Sequence, residues 1–437
     1  MKRQLIIWLV CLQAVVAWGG HIIIDGTYTS PEGGIYSGTT RTYQVYVPDE
    51  YDGTTPACLY VGLDGVLCDA PRVMDSLIAA RAMPVTIGIF LQPGVIRDAK
   101  GEVIRYNRSN EFDMPDGTFA RFLDEQLLPH ALSLVTPDGR RLHISPRGDD
   151  HMIMGLSSGG IAAFSAAWHR PDLFRRVFSG VGTFVAMRGG NDLQAIVRKH
   201  EPQPLRIYLQ DGTADVWNPI FGHWYEGNRM LASALEFAGY DCACDWSDGG
   251  HNVRRATQIF AQVMQWMWRD WPAPIACGTT LNDFLAPLLI AGESWQQHPA
   301  APIVPHLNLT YNADSTLCVG VGRESNCLWQ AVIDRDKLRA GQPFYWLHSY
   351  DNRQLRIGDK AFDGDGNLWV LTNAGLQVCD QNGRVRAMLI LPELGESANI
   401  EIEDGMVRVS DGRATYTRRL HVKAPVPGVR PKSQGQG

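Results

Sequence analysis

Between about residues 55 and 270, short apolar runs alternate with amphipathic segments, and this alternation constrains the fold more than any other feature. The runs cover residues 57–63, 84–90, 152–154 and 205–209, and further strands are read over 176–180 and 240–246. Apolar residues in unbroken succession suit a strand buried on both faces, as in a parallel sheet covered by helices. Helical patterns lie between them, over 73–81, 118–130, 162–169, 228–238 and 257–268. The second of these places Phe119, Phe122, Leu123 and Leu127 on one face and is expected to close at Pro129. Repeated strand–helix units predict an α/β class: a doubly wound sheet with ligand sites at the strand C-termini. Upstream, residues 21–49 alternate with period two and read as an edge hairpin. Residues 105–113, R-Y-N-R-S-N-E-F-D, read as a polar, aromatic loop that carries function.

Several strand ends carry reactive side chains. Residues 151–163 read H-M-I-M-G-L-S-S-G-G-I-A-A: strand, sharp turn, helix, with Ser157 at the apex. A Gly-x-Ser-x-Gly turn needs small neighbours because strand and helix backbones pass close together, and it exposes a hydroxyl at the positive end of a helix. Alone the pattern is weak, since a Gly-Ser turn also closes ordinary strands. A nucleophilic serine needs a base, and His251 follows the 240–246 strand through Asp248-Gly249-Gly250. An orienting acid belongs at the end of an intervening strand, in the chain order Ser, Asp, His. Asp215 fits, with Asp211 as the alternative; the Gly212-Thr213 turn carries Asp215 further beyond the sheet edge. The bland alternatives are solvated turn aspartates and a loop histidine. In the resulting scheme Ser157 attacks an ester carbonyl, His251 moves the proton and Asp215 holds the imidazole. The Ser158 and Val66 backbone amides are expected to bind the oxyanion.

Residues from about 37 to 270 resemble the putative-esterase branch of the α/β-hydrolases, which holds enterochelin, feruloyl and acetyl-xylan esterases and mycolyltransferases. The carrying residues are Leu63-Asp64-Gly65, Arg108-Ser-Asn-Glu111-Phe112, Leu127-Leu-Pro129, Gly155 to Gly160, Gly212 to Asp215 and Gly249-Gly-His251. The resemblance implies a serine hydrolase without metal or other cofactor, with Arg108 and Glu111 lining the site. Trp217, His223 and Trp224 are candidates for an aromatic wall receiving a sugar or phenolic acid. Beyond Cys277 the texture changes to strands separated by D-G, N-G and G-N turns, an antiparallel β unit. Residues 308–320 and 361–385 resemble gluconolactonase-type six-bladed propellers, but the segment is too short for six four-stranded blades. That resemblance offers Asn308 and Asp359 as weak metal ligands, while the Glu-bearing first blade is absent. The D-x-D-G-N of residues 363–367 reads as a hairpin turn rather than a calcium loop.

Residues 1–20, with Lys2 and Arg3 before an apolar run and small residues near Ala17, read as a secretory signal peptide. Export, secreted or periplasmic, and no membrane span in the mature chain are therefore expected. The expected division is 1–20 leader, 21–275 esterase unit, 276–424 β-rich accessory region and 425–437 disordered tail. Eight of the nine cysteines remain after the leader, which permits disulfides without specifying pairs. A net charge of −6 without a basic run excludes nucleic acid as a natural partner. The leading expectation is an exported ester hydrolase acting on small-molecule or polysaccharide esters of carbohydrates or phenolic acids. Alternatives are an acyltransferase on the same residues, a catalytically silent carbohydrate-binding protein, and a metal-dependent lactonase using the C-terminal region.

Overall fold

The computed structural model describes residues 20–301, 309–322, 326–335, 337–350, 355–395, 397–429 and 431. Residues 1–19 of the expected leader and Asn308 lie outside them. Among the described residues no helix is long and apolar enough to cross a membrane.

A ten-stranded sheet organises the N-terminal part. Its strands are β1 (His21–Thr29), β2 (Thr40–Pro48), β3 (Cys58–Leu63), β4 (Thr86–Leu91), β5 (Val95–Arg97), β6 (Val103–Tyr106), β7 (His151–Leu156), β8 (Arg176–Gly180) and β9 (Arg206–Gly212). A small hairpin, β10 (Trp217–Asn218) with β11 (Gly222–His223), precedes the tenth, β12 (Asp241–Ser247). The order is β12-β9-β8-β7-β3-β4-β2-β5-β6, with β1 paired to β2. Strands β4, β3, β7, β8, β9 and β12 run parallel, and β2 joins β4 antiparallel.

Period-two geometry explains the apolar runs. Leu59, Val61 and Leu63 of β3 enter one core with Ile161, Phe164 and Leu231, whereas Cys58 and Tyr60 enter another with Met74 and Phe260. Helices Ser158–His169 and Trp224–Phe237 cover the first face; Ala70–Ala79 and Arg254–Trp268 cover the second. The chain goes from β3 outward to β4 and later from β7 outward to β8. The C-termini of β3 and β7 therefore flank a topological switch point, where α/β sheets open a crevice.

Three expectations are corrected here. β2 lies inside the sheet, between β4 and β5, because the β5–β6 hairpin extends the sheet past it. Residues 108–112 form a short helix, Arg108–Phe112, rather than loop. The 118–130 helix does not close at Pro129 but runs on through Leu128–Leu132. A widened turn over Leu123–Leu127 absorbs the proline's missing N–H.

The C-terminal part is all-β, with three four-stranded antiparallel sheets. Leu309–Tyr311, Leu317–Val321, Cys327–Asp334 and Lys337–Trp346 form the first; Ile357–Phe362, Leu368–Thr372, Gly375–Cys379 and Val385–Leu389 form the second. In the third, Gln296–His298 adds to the edge of Asn399–Glu403, Met406–Ser410 and Thr415–Arg419. Part of the tail expected to be disordered is anchored, as the Gly428 amide donates to Ala313 O at 2.7 Å. The core does not stop between the two parts. Phe362, Leu368, Val385 and Met388 pack in the same cluster as Trp168, Val197 and Leu205. Across this seam Glu201 meets Arg418 in a buried bidentate pair (3.1 and 2.8 Å), and Lys199 Nζ lies 2.8 Å from His348 Nε2. All eight described cysteines are free thiols.

Candidate active site

At the end of β7, Ser157 adopts φ +58° and ψ −121°, a conformation L-residues avoid. The turn is pinned from both sides. The Ser157 amide donates to Gly180 O (3.0 Å), and the Thr183 amide donates to Ser157 O (3.1 Å). Gly155 is required here, because a Cβ on it would sit 2.2 Å from the Gly159 carbonyl oxygen.

Two other strand ends converge on this serine. His251 Nε2 lies 2.8 Å from Ser157 Oγ, and its Nδ1 lies 2.7 Å from Asp215 Oδ1. With Nδ1–H donating to the carboxylate, Nε2 is free to accept the serine proton. The loops bearing Asp215 and His251 touch so closely that a Cβ on Gly212 would lie 2.1 Å from Gly249 O. Asp215 is fully buried at its side chain. Burial alone would raise its pKa, but bonds to His251, to Asp211 and from the Val216 amide hold it below the usual carboxylate range. Of the two aspartates weighed from sequence, Asp215 is the one that reaches the imidazole. Asp211 lies behind it, fully buried.

The expected oxyanion donors lie at the switch point. Among the described residues, the Ser158 and Val66 amides donate to no acceptor. Asp64 (φ +64°) and Gly65 (φ +82°) shape the turn before Val66. Arg108 ties these elements together: its fork binds Asp64 at 2.7 and 2.8 Å, and Nη1 donates to Ser158 Oγ at 2.9 Å. Burial opposes the charge on Arg108, yet Asp64 raises its pKa.

Other candidates fall into different roles. Glu111 is fully buried, and its oxygens accept from Arg41, Asn107 and the Gly94 amide, so it anchors the Arg108 helix instead of meeting substrate. Trp224 is also buried rather than walling the crevice. Its ring meets His251 edge-on at 5.9 Å, and its Nε1 donates to Thr183. Trp217 is exposed and pairs with His223 in the β10–β11 hairpin. Asp359 Oδ2 accepts the Ile400 amide, and among the described residues no group of three or more His, Cys, Asp or Glu is placed to hold a metal. Asp363 accepts from Asn367 and Trp369, as a hairpin turn requires.

Thr183 was not anticipated. Its hydroxyl is 3.4 Å from Ser157 Oγ. It lies just past β8, so the rule that singled out the other strand ends applies to it too.

A family profile described as "Putative esterase" matches residues 36–265, a span that includes Ser157, Asp215 and His251. The chain belongs to this esterase family. It is a carboxylic-ester hydrolase with an α/β-hydrolase unit followed by an all-β region. Similar solved structures include a ferulic acid esterase (18% identity; 57% of this chain and 98% of that one; TM-score 0.44). Others are the enterobactin esterase of Shigella flexneri (21%; 56% and 59%; 0.42) and the ferric enterobactin esterase of Salmonella typhimurium (19%; 57% and 58%; 0.43). The chain thus covers somewhat under two thirds of the enterobactin esterases. No curated protein sequence matches it.

For this esterase, Arg108→Met is expected to lower kcat about 10- to 100-fold with KM nearly unchanged, since the turn bearing Val66, an expected oxyanion donor, loses its tie while ground-state contacts remain. Steady-state kinetics on a neutral ester check this; a rise in KM alone would make Arg108 a substrate contact instead.

Proposed function

We propose that this protein is an exported serine esterase in which Ser157 is the nucleophile, His251 the general base and Asp215 the orienting acid. The carrying observation is the unbroken chain Ser157 Oγ–His251–Asp215, at 2.8 and 2.7 Å, on a strained strand–helix turn. Ser157 attacks the ester carbonyl as His251 Nε2 takes its proton. The amides of Ser158 and Val66 receive the developing oxyanion. His251 returns the proton to the leaving alcohol, and water then repeats the sequence on the acyl-enzyme. The buried Asp215 stabilises the imidazolium without itself taking a proton.

Two surfaces support an acyl ester of a carbohydrate or of a phenolic acid. Exposed Val216, Trp217 and Ile220 follow Asp215 in sequence, exposed Val66 carries a proposed oxyanion amide, and these side chains offer an apolar rim to the acyl group. Beside Gly65 and Val66 a cavity of about 380 Å³ is lined by Asp25, Thr42, Gln44 and Gln92, a hydrogen-bonding surface suited to a polyhydroxylated alcohol. The apolar run after Lys2 and Arg3 supports export.

A serine-directed fluorophosphonate, followed by peptide mapping, is expected to label Ser157, and a panel of acetyl, feruloyl and long-chain esters then ranks the acyl groups. Labelling at Ser158 or elsewhere, with Ser157 unmodified, would overturn the assignment.

A further inference from the structure

Behind the proposed acid lies a second carboxyl group with no role in the scheme above. Asp211, the penultimate residue of β9, is fully buried. One oxygen accepts the Gly212 amide at 2.7 Å, and the other accepts Asn228 Nδ2 at 2.7 Å. Asn228 is fixed in turn, donating to Gly182 O (2.8 Å) and Trp224 O (3.0 Å). The Asp215 amide donates to Gly212 O at 3.0 Å, a turn that keeps the two buried carboxyl groups together, and each acts on the other's proton affinity. Asp215 Oδ1 serves His251, while Oδ2 is buried and receives no amide, hydroxyl or imidazole donor among the described residues. Two carboxyl groups in contact form a hydrogen bond only if one holds a proton.

We propose that Asp211 is a positioning residue that stays protonated at neutral pH and donates to Asp215 Oδ2, locking the acid in the orientation His251 needs. This rests on the reading of Ser157, His251 and Asp215 given above. Asp215 is the natural anion of the pair, because it faces the imidazole. Asp211 is the natural acid: Asn228, Gly182 and Ser247, brought by the helix, the β8 turn and β12, are uncharged, so the charge acting on it is that of Asp215. Burial, then the bond and repulsion from Asp215, push the Asp211 carboxyl up to about 9. Deprotonation there sets two anions against each other and releases Asp215 from its second anchor. An amide at position 211 retains a donor without a titration; an alanine removes the donor.

A carboxyl whose pKa rises on folding binds a proton that the unfolded chain lacks between the ordinary carboxylate range and 9. Its stabilisation is complete in acid and lost as pH climbs through that window.

The experiment compares wild type, Asp211→Asn, Asp211→Ala and Ser157→Ala on a neutral ester from pH 6 to 10, with melting temperatures alongside. Wild-type kcat is expected to fall on the alkaline side with an apparent pKa near 9. Asp211→Asn is expected to keep near-wild-type kcat at pH 7, to lack that limb, and to gain melting temperature over wild type as pH rises. Asp211→Ala is expected to lose about 10-fold or more in kcat, because it strands a buried acceptor. An alkaline limb unchanged in Asp211→Asn, or an amide variant as impaired as the alanine, overturns the proposal. Ser157→Ala separates the two readings. If it stays active, the assignment of the site fails; if it is inactive while Asp211→Asn keeps the limb, only the role of Asp211 fails.

Discussion

Ser157→Ala is expected to lower kcat for ester hydrolysis by ~10⁴-fold or more, because the covalent route disappears and only binding and oxyanion stabilisation remain. Two other hydroxyls lie near enough to be considered as substitutes. Thr183 Oγ1 is 3.4 Å from Ser157 Oγ, but it is buried and accepts from Trp224 Nε1. Ser158 Oγ is taken by Arg108. Among the described residues, the Ser157 hydroxyl is the one that lies against His251 Nε2. His251→Ala should therefore cost a comparable factor, and the double variant little more than either single one, since nucleophile and base act as a unit. Both variants should fold, as alanine removes one small or partly exposed polar side chain. Pre-steady-state and steady-state rates on an activated ester check this. Hydrolysis by Ser157→Ala at the wild-type rate would sink the mechanism.

The parts of the site that could be read from the chain are those that depend on topology. A parallel sheet puts every strand C-terminus on one edge, so Ser157, Asp215 and His251 become neighbours once the strands are recognised. The interior strands were recognisable because burial on both faces leaves no polar alternation, whereas β12, at the sheet edge, is only partly buried and carries Asp241 and Asp245. What escaped recognition depends on distant partners. Glu111 looked like a site carboxylate, yet Arg41, on β2, fills one of its oxygens. Trp224 read as part of an aromatic wall for substrate, but the turn after β8 and the imidazole bury it. The choice between Asp211 and Asp215 rests on how far a two-residue turn advances the chain, a matter of ångströms that residue types do not encode. The β5–β6 hairpin was missed because its exposed, charged edge lacks the apolar signal that marked the interior strands.

Glu201→Ala is expected to destabilise the whole protein by about 3–5 kcal/mol, because it leaves Arg418 buried beside the seam without its counter-charge. Both side chains are almost completely buried, at 7% and 8% exposure, so solvent screens this pair little. Glu201 also accepts the Ile390 amide, which the variant strands. Replacing both partners by apolar residues, Glu201→Met with Arg418→Leu, should recover most of the loss, since no buried charge then lacks a partner. The seam reaches further than one ion pair. Trp168, near the C-terminal end of the helix that starts at Ser158, donates to Tyr350, and Asn282 bridges the Arg198 and Arg386 carbonyls. With the apolar core continuous through these contacts, the α/β unit and the all-β region are expected to unfold together. Calorimetry is therefore expected to give a single transition for wild type and for Glu201→Ala, shifted down by several degrees in the variant. Two resolved transitions, or an unshifted midpoint in Glu201→Ala, would show that the α/β unit stands without the β region, and an esterase ending near residue 275 should then fold alone.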